Sequence, residues 1–131
     1  MQFAYPWTAL VTVAALLVYV GVMMRVARAR GAFKIEAPAI TGHPDFERVI
    51  RVQANTVEQL AIFLPALWLF AALWSDAWAA IIGIVWPIGR VVYAMGYYQA
   101  AEKRNMGFAI TAIPSIVLLV GTLIGIFARG F

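Results

Sequence analysis

The sequence predicts an all-α integral membrane protein, a bundle of four transmembrane helices. Three observations carry that expectation: more apolar surface than water tolerates, four long apolar stretches, and basic residues sorted to one side of them. Of 131 residues, 64% are hydrophobic and only 12% are charged. Soluble chains are about half apolar and about a quarter charged. A chain this short builds no core large enough to hide the excess, so lipid serves as solvent for the apolar faces.

Each span is read in order. Phe3 to Met24 carries no charge. It is too long for a signal-peptide core and has no basic residue before it, so it reads as an uncleaved anchor. Leu60 to Trp74 is apolar throughout and follows a polar, helix-compatible run from Phe46. A helix from Phe46 to Trp74 measures about 43 Å at roughly 1.5 Å per residue. That exceeds a hydrocarbon core of about 30 Å, so its first turns stand among headgroups. Ala77 to Tyr98 holds a single charge, Arg90, and Met106 to Ala128 holds none. Roughly 20 apolar residues cross a bilayer as a helix. The first, third and fourth stretches reach that length alone, and the second reaches it with its polar N-terminal turns. The alternation of a barrel strand is absent. Pro65, Pro87 and Pro114 fall inside spans, where prolines are tolerated and kink the helix. Gly31 to Asp45, with Pro38, Gly42 and Pro44, reads as an irregular loop, and Asp45 and Glu47 suit a helix start. No repeat divides the chain, so residues 1–131 are expected to form one domain.

The charges give orientation. Arg25, Arg28, Arg30, Lys34, Arg48 and Arg51 lie between the first two spans, and Lys103 and Arg104 between the last two. The Ser75-Asp76 connection and the N-terminal tip have no basic residue, and the C-terminal end has Arg129. Basic loops stay in the cytoplasm, so the first and third loops are expected there and both termini on the opposite side. This sorting accounts for the net charge of +4 without nucleic acid. There is no cysteine and one histidine, His43, so no metal site, disulfide or thiol nucleophile is expected. His43 reads as a loop or cap residue.

The second span carries the densest polar signal. At about 100° per residue, Arg48, Arg51, Asn55 and Glu58 fall within about 80° on one face, while Gln53 stands roughly 160° from Arg51. Two polar faces on one helix suggest a neighbouring subunit. In the third span Arg90, Tyr93 and Tyr97 follow i, i+3, i+7, and Arg104 joins that line if the helix continues. Arg90 needs a partner inside the membrane, and Glu58 is the natural candidate. Arginines suit carboxylates and Glu58 suits an amine, so the group fits a small, multiply charged, peptide-like ligand. Each residue also has a plainer role. Arg25, Arg28, Lys34 and Lys103 suit snorkelling anchors. Tyr93 and Tyr97 suit an aromatic belt, and Trp7, Trp74 and Trp78 suit outer-interface anchors. Arg90 and Glu58 suit polar glue between helices equally well.

The run Glu47-Arg48, Arg51, Asn55, Glu58 resembles the signature of the membrane-associated proteins in eicosanoid and glutathione metabolism, the MAPEG family. The resemblance extends to Arg30 with Ala32-Phe33, to Pro65, and to Arg90, Tyr93, Gly96, Tyr97 and Arg104. It implies a left-handed four-helix bundle assembled as a homotrimer, with glutathione bound between subunits at the cytoplasmic side. Matched position by position, it implies that Arg51, Asn55, Glu58, Tyr93, Tyr97 and Arg104 come from one subunit and Arg30 and Gln53 from its neighbour. It further implies that Arg104 activates the glutathione thiolate, as glutathione transferase or peroxidase chemistry on lipophilic electrophiles or lipid hydroperoxides requires. Gln59 stands where leukotriene-forming members carry tyrosine, and Gly31 where they carry a second arginine, which favours a general transferase. A non-catalytic lipid-binding scaffold of the same fold is the alternative. A small proton-coupled antiporter needs an acid in its first span, and Met1 to Met24 has none.

Sidedness has a direct check. Ser75→Cys is expected to react with an impermeant maleimide in intact cells, and Thr41→Cys only after permeabilisation. The reverse pattern overturns the orientation.

Overall fold

The structure is a computed structural model and describes residues 2–131. Five helices make four spans. They are α1 (Pro6–Phe33), α2 (Pro44–Leu73), α3 (Asp76–Gly83) with α4 (Val85–Gln99), and α5 (Asn105–Arg129). A short 3-10 turn, Ala101–Arg104, precedes α5. All four spans are long and apolar enough to cross a membrane. α1 packs on α2 and on the α3–α4 span, and α5 packs on the same two from the other side.

Two boundaries differ from the sequence reading. α1 runs to Phe33 and α2 starts at Pro44, so Gly31, Ala32, Phe33, Pro44 and Asp45, expected in the loop, are helical and the irregular segment is only Lys34 to His43. The helix stops where Lys34 turns left-handed (φ 55°, ψ 44°) and its amide donates to the Arg30 carbonyl. The Arg30 guanidinium donates to the Ile35 and Ala39 carbonyls at 3.4 and 2.8 Å, satisfying backbone that has left the helix. The third span is interrupted at Ile84 between α3 and α4. Pro87, just beyond, has no N–H to return to the Gly83 carbonyl. Pro65 and Pro114 sit within unbroken helices. His43 is a cap: its Nδ1 accepts from the Asp45 amide at 3.1 Å.

At the opposite end Asp76 caps a helix other than its own. Its carboxylate accepts from the Trp7 and Thr8 amides at 3.1 and 2.8 Å. Those donors lie in the first turn of α1, where Tyr5 supplies no side-chain cap. An anion at a helix start also complements the helix dipole.

Val11, Ala15, Leu60, Phe63, Leu67, Trp86 and Leu118 form the main core, with Phe63 and Trp86 stacked at 4.8 Å. Leu10, Leu17, Leu69, Ile113, Ile116, Leu119 and Leu123 are exposed. Patches of that size do not face water in a stable protein; they face acyl chains. Between helices, hydrogen bonds and small residues replace hydrophobic drive. Trp68 Nε1 donates to Thr12 Oγ1 at 2.9 Å, and Trp74 Nε1 donates to the Gly121 carbonyl at 2.9 Å. Trp74 thus joins α2 to α5 as well as standing at a span end.

Gly107 is the tightest joint. A Cβ there would overlap the Tyr93 backbone, so only glycine lets α5 lie against α4. Gly107→Ala is expected to lose about 1–3 kcal/mol of stability, as overpacked sites do. A lowered Tm in detergent checks this, with Gly21→Ala, which meets nothing within 4 Å, as the neutral control.

Candidate functional site

The site begins with the register of α2. Val49, Val52, Thr56, Leu60 and Phe63 are buried against the bundle. That seam turns Arg51, Asn55 and Glu58 to one flank, since positions spaced i, i+4, i+7 share a face. Facing them on α4 are Tyr93 and Tyr97, which are buried and pack edge-to-face at 5.6 Å. Arg51, Ala54, Asn55, Glu58, Tyr93, Tyr97 and Arg104 line one polar cavity of about 230 Å³.

Arg104 reaches this cavity by a route that helical periodicity does not contain. α4 does not continue to it. Ala100 is extended (φ −163°, ψ 145°) and the chain folds back through the 3-10 turn. Gly96 permits this, because the Lys103 carbonyl occupies the space a side chain would need. The Arg104 guanidinium donates to the Ala101 carbonyl at 2.7 Å and lies 5.5 Å from the Tyr97 ring centroid.

Arg90 is 1% exposed, and its partner is not Glu58. Its Nη2 donates to Thr56 Oγ1 at 2.8 Å, and Thr56 donates onward to the Val52 carbonyl at 2.6 Å. Its guanidinium lies 4.0 Å from the Tyr93 ring centroid. The physical reason is position: Glu58 lies on the exposed flank of α2, whereas Thr56 is in the buried seam. Sequence reasoning misses Thr56, because a lone threonine in a polar run gives no signal of its own. It misses Ala54 because that residue is apolar.

Two expected residues are not at this cavity within the chain. Arg30 holds the loop carbonyls and lies 5.3 Å from the Phe46 ring centroid. Gln53 donates from Nε2 to Tyr19 Oη at 3.4 Å, toward α1. Arg48 also leaves the stripe and pairs with Asp45, the one ion pair among the described residues.

Among the described residues Glu58 therefore has no cation of its own, and Asn55 Oδ1 is buried without a donor. Two guanidiniums, one free carboxylate, an unpaired amide oxygen and two phenols make a site that matches anions and an amine at once. Among the described residues there is no cluster of metal-ligating side chains.

Comparison with known proteins agrees in one direction. An uncharacterized protein of Synechocystis sp. is 53% identical over 120 residues, covering 92% of this chain and 88% of that one. Microsomal glutathione S-transferase 2 of Homo sapiens is 40% identical over 101 residues, 76% of this chain and 69% of that one. Leukotriene C4 synthase of Cavia porcellus is 33% identical over 121 residues, 92% and 81% of the two chains. The family description that matches, over residues 8–124, is that of MAPEG. With four membrane-length helices and this match over most of its length, the chain belongs to the MAPEG family.

Proposed function

We propose that the protein is a glutathione-dependent membrane transferase whose thiol substrate binds in the cavity between α2 and α4. The observation that carries this is the convergence of Arg51, Asn55, Glu58, Tyr93, Tyr97 and Arg104 on that cavity with Glu58 and Asn55 Oδ1 still unpartnered. Glutathione has two carboxylates, an amine and a thiol. Arg51 takes a carboxylate, Glu58 takes the amine, and Asn55 Oδ1 accepts an amide hydrogen. Relatives named for glutathione transfer and for leukotriene C4 synthesis support the same reading.

Arg104 has the separate task of activating sulfur. A free thiol near pKa ~8.5 is mostly protonated at neutral pH, and a neighbouring cation lowers that value. The thiolate then attacks an electrophilic carbon, forming S–C while the electron pair of the breaking bond goes to the leaving atom. With a lipid hydroperoxide it attacks the outer oxygen, the O–O bond breaks, and an alcohol and a sulfenic acid result. A second glutathione reduces the sulfenic acid to the disulfide and water. The electrophile arrives through lipid, because the cavity lies at the end of apolar spans.

The assembly completes the site. A cavity of about 230 Å³ falls below the roughly 300–1,000 Å³ of ordinary ligand pockets. One chain therefore offers one wall, and a homotrimer brings Arg30 and Gln53 of a neighbouring copy to the other. Native mass spectrometry in mild detergent is expected to show trimers that retain glutathione. A monomer that binds glutathione equally well sinks the shared site.

The two proposed roles separate by mutation. Arg51→Ala and Glu58→Ala are each expected to weaken glutathione binding by about 1.5–3 kcal/mol, the worth of a charge-assisted hydrogen bond, as read by calorimetry. Arg104→Ala is expected to keep most of the affinity but lose thiolate ultraviolet absorbance at neutral pH. Its turnover with a model electrophile should fall and partly recover as pH rises and the thiol ionises unaided. Arg104→Lys, which keeps charge without the planar fork, should lie between. Normal thiolate formation in Arg104→Ala refutes the assignment.

A further inference from the structure

A second basic cavity lies apart from the first, between α1, α4 and the start of α2. It has a volume of about 530 Å³, and Arg25, Arg28, Arg48, Asp45, Tyr98 and Gln99 line it. Arg25 and Arg28 are one helical turn apart and share a face. The Arg25 guanidinium lies 4.5 Å from the Tyr98 ring centroid, which aims it across the gap to α4. Arg48 spends part of its charge on Asp45, yet its Nε is buried without an acceptor. Three guanidiniums against one carboxylate leave two positive charges uncompensated.

Next to this cavity is an apolar groove of about 350 Å³ that shares Arg25, Arg28 and Tyr98 with it. The groove runs down the α1–α4 seam between Val18, Gly21 and Val22 on one side and Val91, Ala94 and Met95 on the other. Its α1 residues lie within the charge-free run Phe3 to Met24, so they stand at acyl-chain depth. Gly21 leaves the groove open: a Cβ there meets nothing within 4 Å. The result is a cationic head on an apolar stem.

We propose that this α1–α4 cleft is a binding site for an anionic phospholipid, with the phosphodiester held by Arg25, Arg28 and Arg48 and an acyl chain lying in the groove. Guanidiniums take phosphate oxygens through paired, charge-assisted hydrogen bonds, and basic pockets between transmembrane helices suit acidic headgroups. A soluble anion fills the head alone; only an amphiphile fills both parts. The site is independent of the glutathione reading, since none of its residues lines the other cavity.

The test uses the full-length protein and native mass spectrometry with equal amounts of dioleoyl phosphatidylglycerol and dioleoyl phosphatidylcholine. Wild type is expected to retain phosphatidylglycerol preferentially. The double variant Arg25→Gln, Arg28→Gln should lower that retention about tenfold, equivalent to about 1.4 kcal/mol. Gly21→Phe fills the stem without touching a charge and should lower it as well. Arg129→Gln, at the far end of α5, should leave it unchanged. Glycerol phosphate in excess should fail to displace the lipid. Equal retention of the two lipids overturns the proposal. So does unaltered retention in Gly21→Phe, which signals charge attraction alone. Full displacement by glycerol phosphate overturns it in favour of a soluble-anion site. An assembled wild type that retains no phosphatidylglycerol overturns it too, with the cleft covered by a second copy.

Discussion

Arg90 sits at 1% exposure in the seam between α2 and α4, its Nε and Nη1 buried without an acceptor, and the placement of the cavity follows from the one hydrogen bond it makes, to Thr56. A cation in hydrocarbon is costly unless it meets protein or water. Tyr93, one turn along α4, stacks on the guanidinium and orients it, and the hydrogen bond to Thr56 then fixes the height and rotation of α4 against α2. Sliding α4 by a turn separates the guanidinium from Thr56 and removes its one hydrogen-bond acceptor. That constraint holds Tyr93 and Tyr97 opposite Asn55 and Glu58. The same residue that resists burial therefore specifies the register of the polar wall.

Close backbone approach does the rest. With lipid on one side and apolar side chains on the other, helices gain little from hydrophobic drive and rely on contact and hydrogen bonding. Gly107 lets α5 press on the Tyr93 backbone, and Gly96 lets the Lys103 carbonyl fold against α4. The second of these closes the cavity, because it returns Arg104 to the Tyr97 ring instead of letting it leave along the helix axis. Two glycines and one buried arginine thus shape a site to which they lend no lining atom.

The polar groups of this end divide between two walls. Arg51, Asn55, Glu58 and Arg104 face one flank of α2 and α4, while Arg25, Arg28 and Arg48 face the α1–α4 cleft. The first set contains a free carboxylate and suits a zwitterionic peptide. The second contains only a carboxylate already paired with Arg48 and suits a plain anion. Arginines that look alike along the sequence differ in what surrounds them, and that difference decides what each can bind.

By itself the sequence determined the spans and the residues that share a helix face. Both follow from local rules: about 20 apolar residues cross the bilayer, and about 100° per residue puts Arg51, Asn55 and Glu58 on one flank. The MAPEG resemblance was legible in that same stripe. Tertiary structure decided what no single helix encodes. It gave Arg90 to Thr56 rather than Glu58, because burial of a seam depends on which neighbour covers it. It brought Arg104 back through a 3-10 turn, because the stop at Ala100 needs the room that Gly96 leaves for a segment further along the chain. It carried α1 through Gly31 to Phe33, with Arg30 holding the loop carbonyls beyond the helix end. Periodicity reports which residues face the same way; only packing reports what they face.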